Sequence, residues 1–329
     1  MTATVAALTR QIRVDHPSAG YAAARVARET AHAAGLPEVL ADRAAVVASE
    51  LAGNIDKHTS GGSVFVQRTL TGRGVDVLAA DDGPGMADLD HWLLDGNTTT
   101  ATLGTGLGAV KRMATEFRIT SSPQAGTLAA ARLLDPAGPA PGAVAHFRLP
   151  REGEEYCGDA VALADVTGSR TAVVADGLGH GPDAAEAADA AMRVFTENPD
   201  RPLPHQLTNM HRALRTTRGA AIALVRIAPR RLEFCGVGNV SGASVGGGTS
   251  RLLLSTPGIV GFTLPAAPVR HLPLAEDDAV VLHTDGVGTA WRVSGPSADL
   301  RLLAATLAHR HRNPRDDAAV LALRADRSA

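Results

Sequence analysis

The feature that most constrains this chain is a break. Residues 133–147, LLDPAGPAPGAVAHF, hold three prolines and two glycines. Proline removes a backbone donor and fixes φ, so such a segment cannot continue a helix or an inner strand. Regular apolar spacing lies on both sides of it. The chain must therefore form two domains, read here as 1–135 and 143–329 with a linker at 136–142. A length of 329 residues agrees with two domains of ~150 residues each.

Before the break, residues 19–36 and 39–59 repeat apolar side chains every three or four positions and predict helices. SVFVQRTL (63–70), GVDVLAAD (74–81) and TLAAARLL (127–134) predict strands, and LGAVKRMATEF (107–117) predicts a helix. After the break strands are denser: 160–166, 170–176, 221–227, 231–245, 279–285 and 318–324, interrupted by helices near 183–197, 203–217 and 298–311. That order suits two sheets flanked by helices.

Composition narrows the partners. A net charge of −2 without a Lys/Arg run argues against nucleic acid. No apolar run reaches the ~20 residues of a spanning helix, and the first residues lack a signal-peptide pattern. Cys157 and Cys235 form no CxxC and read as small core residues. The expectation is a cytoplasmic protein, with neither a membrane nor a nucleic-acid partner.

Two glycine-rich stretches follow apolar runs: AADDGPGM (79–86) and VVADGLGHG (173–181). No GxxxxGK[ST] occurs, which excludes a Walker-type site, and GTGLG (104–108) is not GxGxxG. In SELAGNIDKH, Glu50 and Asn54 lie four apart on one helix face. A carboxylate beside an amide suits general-base work next to a metal-binding oxygen. Two polar residues on a solvated face would look the same. The polar, glycine-rich run 97–108 leads into a helix expected to start near Ala109, with Lys111 and Arg112 in its first turn, where glycine N–H groups hold phosphate oxygens.

This ordered set resembles the GHKL ATP-binding fold, most closely the RsbT-type anti-sigma regulatory serine kinases, over residues ~5 to 134. The resemblance implies that Asn54 coordinates Mg²⁺ and that Glu50 activates a protein serine hydroxyl or orients water. It implies that Asp81 binds the adenine amino group of ATP, Asp82 being the variable position. Gly83, Gly85, Gly104, Gly106 and Gly108 would shape the pocket, with Lys111 beside the phosphates.

In the second half, acids recur at strand ends: Asp159 in CGDA, Asp176 in ADG, Asp285 in TDG, and Asp316 with Asp317 in RDDAAV. Hard divalent cations take oxygen ligands from such positions. Any single DG is also an ordinary turn. The ordered set, with RGAAIALVRI, LEFCGVGNV and HTDGV, resembles the SpoIIE/RsbX class of metal-dependent serine/threonine protein phosphatases from ~143 to 325. The resemblance implies two Mn²⁺ or Mg²⁺ ions. Asp159 and Asp176 would bridge them, the Gly177 carbonyl would contribute, and Asp285 and Asp316 would complete the shell of the second metal. Ala319 stands where that class usually has threonine. His180 reads as a loop residue lining the pocket, the alternative being a proton donor to the leaving serine oxygen.

The expected architecture is α+β: a GHKL (Bergerat-type) α/β sandwich followed by a four-layer αββα phosphatase. The expected function is a partner-switching regulator that phosphorylates and dephosphorylates a STAS-domain antagonist. A sigma factor or a phosphatase activator is a further expected partner. The rival expectation is an ATP-binding, partner-sequestering module without kinase turnover that gates the phosphatase.

Overall fold

The computed structural model describes residues 3–86, 89, 106–166, 168–292 and 299–325. Contacts divide the chain into two units that do not follow the chain linearly. One takes residues 9–141 with 301–309; the other takes 1–8, 142–300 and 310–329.

After β1 (Ala3–Val5), the first of these units contains β2 (Arg10–Val14), α1 (Ala19–Ala33), α2 (Glu38–His58), β3 (Gly62–Arg68), β4 (Gly74–Asp81), α3 (Leu107–Met113), β5 (Glu116–Ser122) and β6 (Gly126–Leu134). The strands form one antiparallel sheet in the order β2-β3-β4-β6-β5. α2 buries Ala41, Ala44, Val47, Ala48, Leu51, Ala52 and Ile55, an i, i+3, i+4 stripe that packs with α1 on Val64, Val66, Val75, Val77 and Ala79. Small side chains let these helices lie close to the sheet. Leu51 is fully enclosed, so truncating it to alanine would cost about 2–5 kcal/mol.

The other unit contains β7 (Val144–Leu149), β8 (Asp159–Val166), β9 (Ser169–Gly177), α4 (Pro182–Glu197), α5 (Leu203–Ala213), β10 (Ala220–Ala228), β11 (Arg231–Val237), β12 (Ser241–Gly246), β13 (Thr249–Leu253), β14 (Arg270–Pro273), β15 (Ala279–His283) and β16 (Ala318–Leu323). Before β16 comes α6 (Leu300–Arg310), whose residues 301–309 group with the first unit. Two antiparallel sheets result, β1-β8-β9-β10-β11-β14 and β13-β12-β15-β16-β7. β8, β9 and β10 are buried on both faces, which explains their nearly unbroken apolar runs. One face packs on α4 and α5 through Ala160, Ala162, Val173, Ala175, Ala188, Phe195 and Met210.

Several elements depart from the sequence reading. The helix expected at 107–117 stops at Met113, and Glu116 begins β5. The stretch 231–245 is two strands in different sheets, split at Gly238 (φ 99°). Among the described residues no helix is long and apolar enough to cross a membrane.

Candidate functional site

In the unit of residues 9–141, β4 ends by delivering Asp81 into a buried position. Its Oδ1 accepts N–H bonds from Gly83 (2.8 Å) and Thr127 (3.3 Å). Burial raises its carboxyl above the ordinary range, and these two bonds oppose the rise. Both bonds fall on Oδ1, leaving Oδ2 for an external donor among the described residues. Gly83 cannot carry a side chain without change: a Cβ would meet Thr59 Cγ2 at 2.6 Å. Gly85 has φ +66°, and a Cβ there would lie 2.4 Å from the Ser122 carbonyl oxygen.

Glu50 and Asn54 sit one turn apart on α2, both partly buried. Asn54 Nδ2 is buried with no hydrogen-bond partner among the described residues. An orphaned buried amide costs about 1–3 kcal/mol, so a site for a polar ligand is the natural account of it. Gly106 precedes α3, and Gly108 is buried within it. Gly104 lies outside the described residues. Lys111 and Arg112 occupy the last turn of α3 and not its first, because the helix already begins at Leu107 and is only seven residues long. There they complement the helix dipole.

In the other unit, β8 and β9 pair so that Asp159 stands directly opposite Asp176. Asp159 is fully enclosed, and Thr284 Oγ1 donates to its Oδ2 at 2.6 Å. Burial holds the Asp159 carboxyl well above the usual carboxylate range, and the charge of Asp176 adds to this. Asp176 is pushed up to about 8, first by burial and then by the charges of Asp285, Asp316 and Asp317. The Asn239 side chain favours its ionised form. Asn239 Nδ2 also donates to Asp285 Oδ2 at 2.6 Å. Burial raises Asp316 too, with Asp285 adding to it.

The pair Asp316-Asp317 divides its work. Asp317 is buried and accepts Arg151 N on Oδ1 (2.7 Å) and Gly158 N on Oδ2 (2.8 Å), so it ties two loops together. Asp316 is partly exposed and accepts only the Asp317 N–H, at 2.9 Å, among the described bonds. The DG glycines are packing positions. A Cβ on Gly177 would meet the Ala184 carbonyl oxygen at 2.1 Å, and one on Gly286 would meet that of Asp317 at 1.9 Å. Gly177 is still part of β9 and not a turn residue, whereas Asp285-Gly286 forms the centre of a β-turn closed by the Val287 N–H on the Thr284 carbonyl at 3.2 Å. Ala319 is buried, and its N–H donates to Thr284 Oγ1 at 2.9 Å. Thr284 thus brings a hydroxyl to Asp159 from the neighbouring strand end. His180 pairs with Glu154 at 2.7 Å on the exposed loop.

Comparison with known proteins follows the same division. The histidine kinase-like ATPase domain family matches residues 15–132. The stage II sporulation protein E (SpoIIE) family matches residues 167–326. Over 108 residues the chain is 33% identical to the serine/threonine-protein kinase RsbT of Bacillus subtilis (strain 168), covering 32% of this chain and 81% of RsbT. The first domain belongs to the RsbT family, and it is joined on one chain to a SpoIIE-like phosphatase domain. The phosphoserine phosphatase RsbX of the same organism is 31% identical over 97 residues, which is 29% of this chain and about half (48%) of RsbX. A crystal structure of RsbX with magnesium superposes with a TM-score of 0.50 at 21% identity, over 54% of this chain and 92% of that one. That likeness gives the SpoIIE domain its PP2C-type fold.

The residues of each domain fit the groups these families imply. The SpoIIE domain gathers only hard oxygen donors at β-strand ends, the chemistry of a Mg²⁺ or Mn²⁺ site and not of a soft-metal site. Among the described residues no three His, Cys, Asp or Glu side chains are grouped closely enough to hold a metal ion as they stand. The acids nevertheless feel one another's charge. Their mutual repulsion is what a cation between them would relieve. In the RsbT-type domain, the orphaned Asn54 amide and the single-sided use of Asp81 fit a nucleotide and its Mg²⁺.

Proposed function

We propose that this chain is a cytoplasmic switch that adds phosphate to, and removes it from, one serine of a STAS-domain protein. The domain boundaries proposed are 1–135 and 143–329, joined by 136–142. The observation that carries this reading is the presence on one chain of a buried, half-used carboxylate at a strand end and of two facing acids, Asp159 and Asp176.

In the ATPase domain, Asp81 would accept the adenine amino group, and Asn54 would hold Mg²⁺. Gly83, Gly85, Gly104, Gly106 and Gly108 would let the backbone approach the nucleotide, with Lys111 near the phosphates. Glu50 would take the proton from the acceptor serine as its oxygen attacks the terminal phosphate.

In the SpoIIE domain, Asp159, Asp176, the Gly177 carbonyl, Asp285 and Asp316 would hold two Mn²⁺ or Mg²⁺ ions. Such ions supply a water acidic enough to be deprotonated near neutral pH. Thr284 and Asn239 would fix the orientation of Asp159 and Asp285, and Asp317 would hold the loops that frame them.

A sigma factor or a phosphatase activator would be a further partner of the ATPase domain. The test is incubation of candidate STAS-domain proteins with ATP·Mg²⁺, or of their phosphorylated forms with Mn²⁺ alone, read by intact mass. Hydrolysis without any transfer would favour an ATP-binding module that sequesters a partner and gates the phosphatase.

A further inference from the structure

Immediately beyond the strand end that carries Asp176, the SpoIIE domain opens an apolar groove of about 490 Å³ lined by Leu178, Gly179, Arg218, Ile259 and Phe262. The groove belongs to the same local backbone as the acids. Gly177 pairs with Ala220 of β10, and Leu178 N donates to the Gly219 carbonyl at 3.0 Å. Its far wall is the hairpin around residues 258–263. That hairpin is pinned to β10 by reciprocal bonds between Ala220 and Val260 (3.0 and 2.9 Å). It is closed by an Ile259–Thr263 bridge and anchored by the Gly261 N–H on His211 Nδ1 at 3.0 Å. Gly261 (φ +109°) and Gly219 (φ +76°) permit this close approach; a Cβ on Gly219 would lie 2.9 Å from both Ile259 and Phe262.

A backbone held this firmly nevertheless presents Phe262 62% exposed and Leu178 36% exposed, both lining one groove. Fixed apolar side chains facing solvent beside a reactive site mark a binding surface. The chemistry of the occupant follows from what surrounds it. Leu178 is two residues from Asp176, about 7 Å along extended backbone. That span corresponds to a residue next to, or next but one from, the phosphoserine of an extended peptide. Arg218 lies over Gly179 and pairs with Asp183 at 2.5 Å, both side chains being more than half exposed. Such an exposed pair contributes little to stability. Its guanidinium is free to exchange partners and complements a segment bearing a dianionic phosphate.

We propose that Leu178, Ile259 and Phe262 form a specificity subsite for an apolar side chain flanking the phosphoserine of the protein substrate, with Arg218 at its polar edge. The subsite rests on the phosphatase reading of the Asp159–Asp176 site and adds to it a rule for substrate choice.

The test compares two phosphoserine peptides that differ only in carrying leucine or glycine beside the phosphoserine, using the full chain with Mn²⁺. The wild-type chain should prefer the leucine peptide by about ten-fold or more in kcat/KM, the difference falling on KM. In Phe262→Ser, an exposed position that the fold tolerates, the ratio between the two peptides should fall to about one. Equal hydrolysis of both peptides by the wild type, or a preference that survives Phe262→Ser, would overturn the subsite alone. Self-association that Phe262→Ser dissolves, without any peptide preference, would assign the groove to a second copy and also overturn it. Absence of any Mn²⁺-dependent hydrolysis would overturn the phosphatase reading and the subsite with it.

Discussion

Asp159 and Asp176 face each other across β8 and β9 at directly paired positions, and Thr284 donates its hydroxyl to the buried member of the pair at 2.6 Å. Burial drives both carboxyls above their ordinary protonation range, with the charge of Asp176 adding at Asp159 and those of Asp285, Asp316 and Asp317 adding at Asp176. The sheet register therefore builds a place for positive charge.

Thr284→Val removes one donor and one acceptor at once, leaving Asp159 Oδ2 and the Ala319 N–H without the hydroxyl. Stability should fall by about 1–3 kcal/mol. Mn²⁺ affinity should drop by about 10–100-fold, because the hydroxyl fixes the ligand's orientation. Urea unfolding and metal titration calorimetry measure the two effects, and unchanged values in both would remove Thr284 from the site.

The division of labour within Asp316-Asp317 predicts two different phenotypes. Asp317→Asn should destabilise the fold by about 1–3 kcal/mol, since one of its two loop-holding bonds is lost. Asp316→Asn should leave the melting temperature nearly unchanged while reducing Mn²⁺-dependent phosphopeptide hydrolysis. A reversed pattern, with Asp316 structural and Asp317 needed only for turnover, would contradict the assignment.

Asp81 sets a pH dependence for nucleotide binding. Burial raises its folded pKa, so lowering the pH protonates it sooner than an ordinary aspartate at about 3.9. The sign differs for stability and binding. A raised carboxyl favours the fold most below its unfolded pKa, and this contribution is lost as pH rises through the folded pKa. ATP affinity should do the opposite and weaken as pH falls, because the adenine amino group loses a charged acceptor. Asp81→Asn should lose about 1.5–3 kcal/mol of binding and show no such pH-dependent weakening beyond that of the nucleotide itself. Calorimetry from about pH 8 to about pH 5 makes the comparison, and parallel profiles for the two proteins would exclude Asp81 from the pocket.

Much of this was readable from residues alone, for local reasons. β4, β6, β8 and β9 announce themselves as apolar runs because they are buried on both sides or end at glycine. The acids were legible because each stands beside such an end. What escaped depends on contacts between distant residues. β1 joins β8 across more than 150 positions, and nothing in Ala3–Val5 announces that pairing. β5 was hidden because apolar residues of α3 run on at helical spacing into Phe117. Thr284 and Asp159 are 125 residues apart, so the hydroxyl's role emerges only when β15 and β8 bring their ends together. Asn239 was similarly invisible within GVGNV, since its partner Asp285 is 46 residues away.

The central claim, that one chain drives two opposed reactions on one serine, is tested most directly by phosphopeptide mass spectrometry on the cognate STAS-domain protein. With ATP·Mg²⁺ the wild-type chain should phosphorylate a single serine, and nucleotide removal with added Mn²⁺ should reverse it. Glu50→Ala should abolish transfer while sparing hydrolysis, and Asp285→Ala should let the phosphorylated form accumulate. Phosphorylation that persists in Glu50→Ala, or transfer and hydrolysis on different residues, would contradict the account.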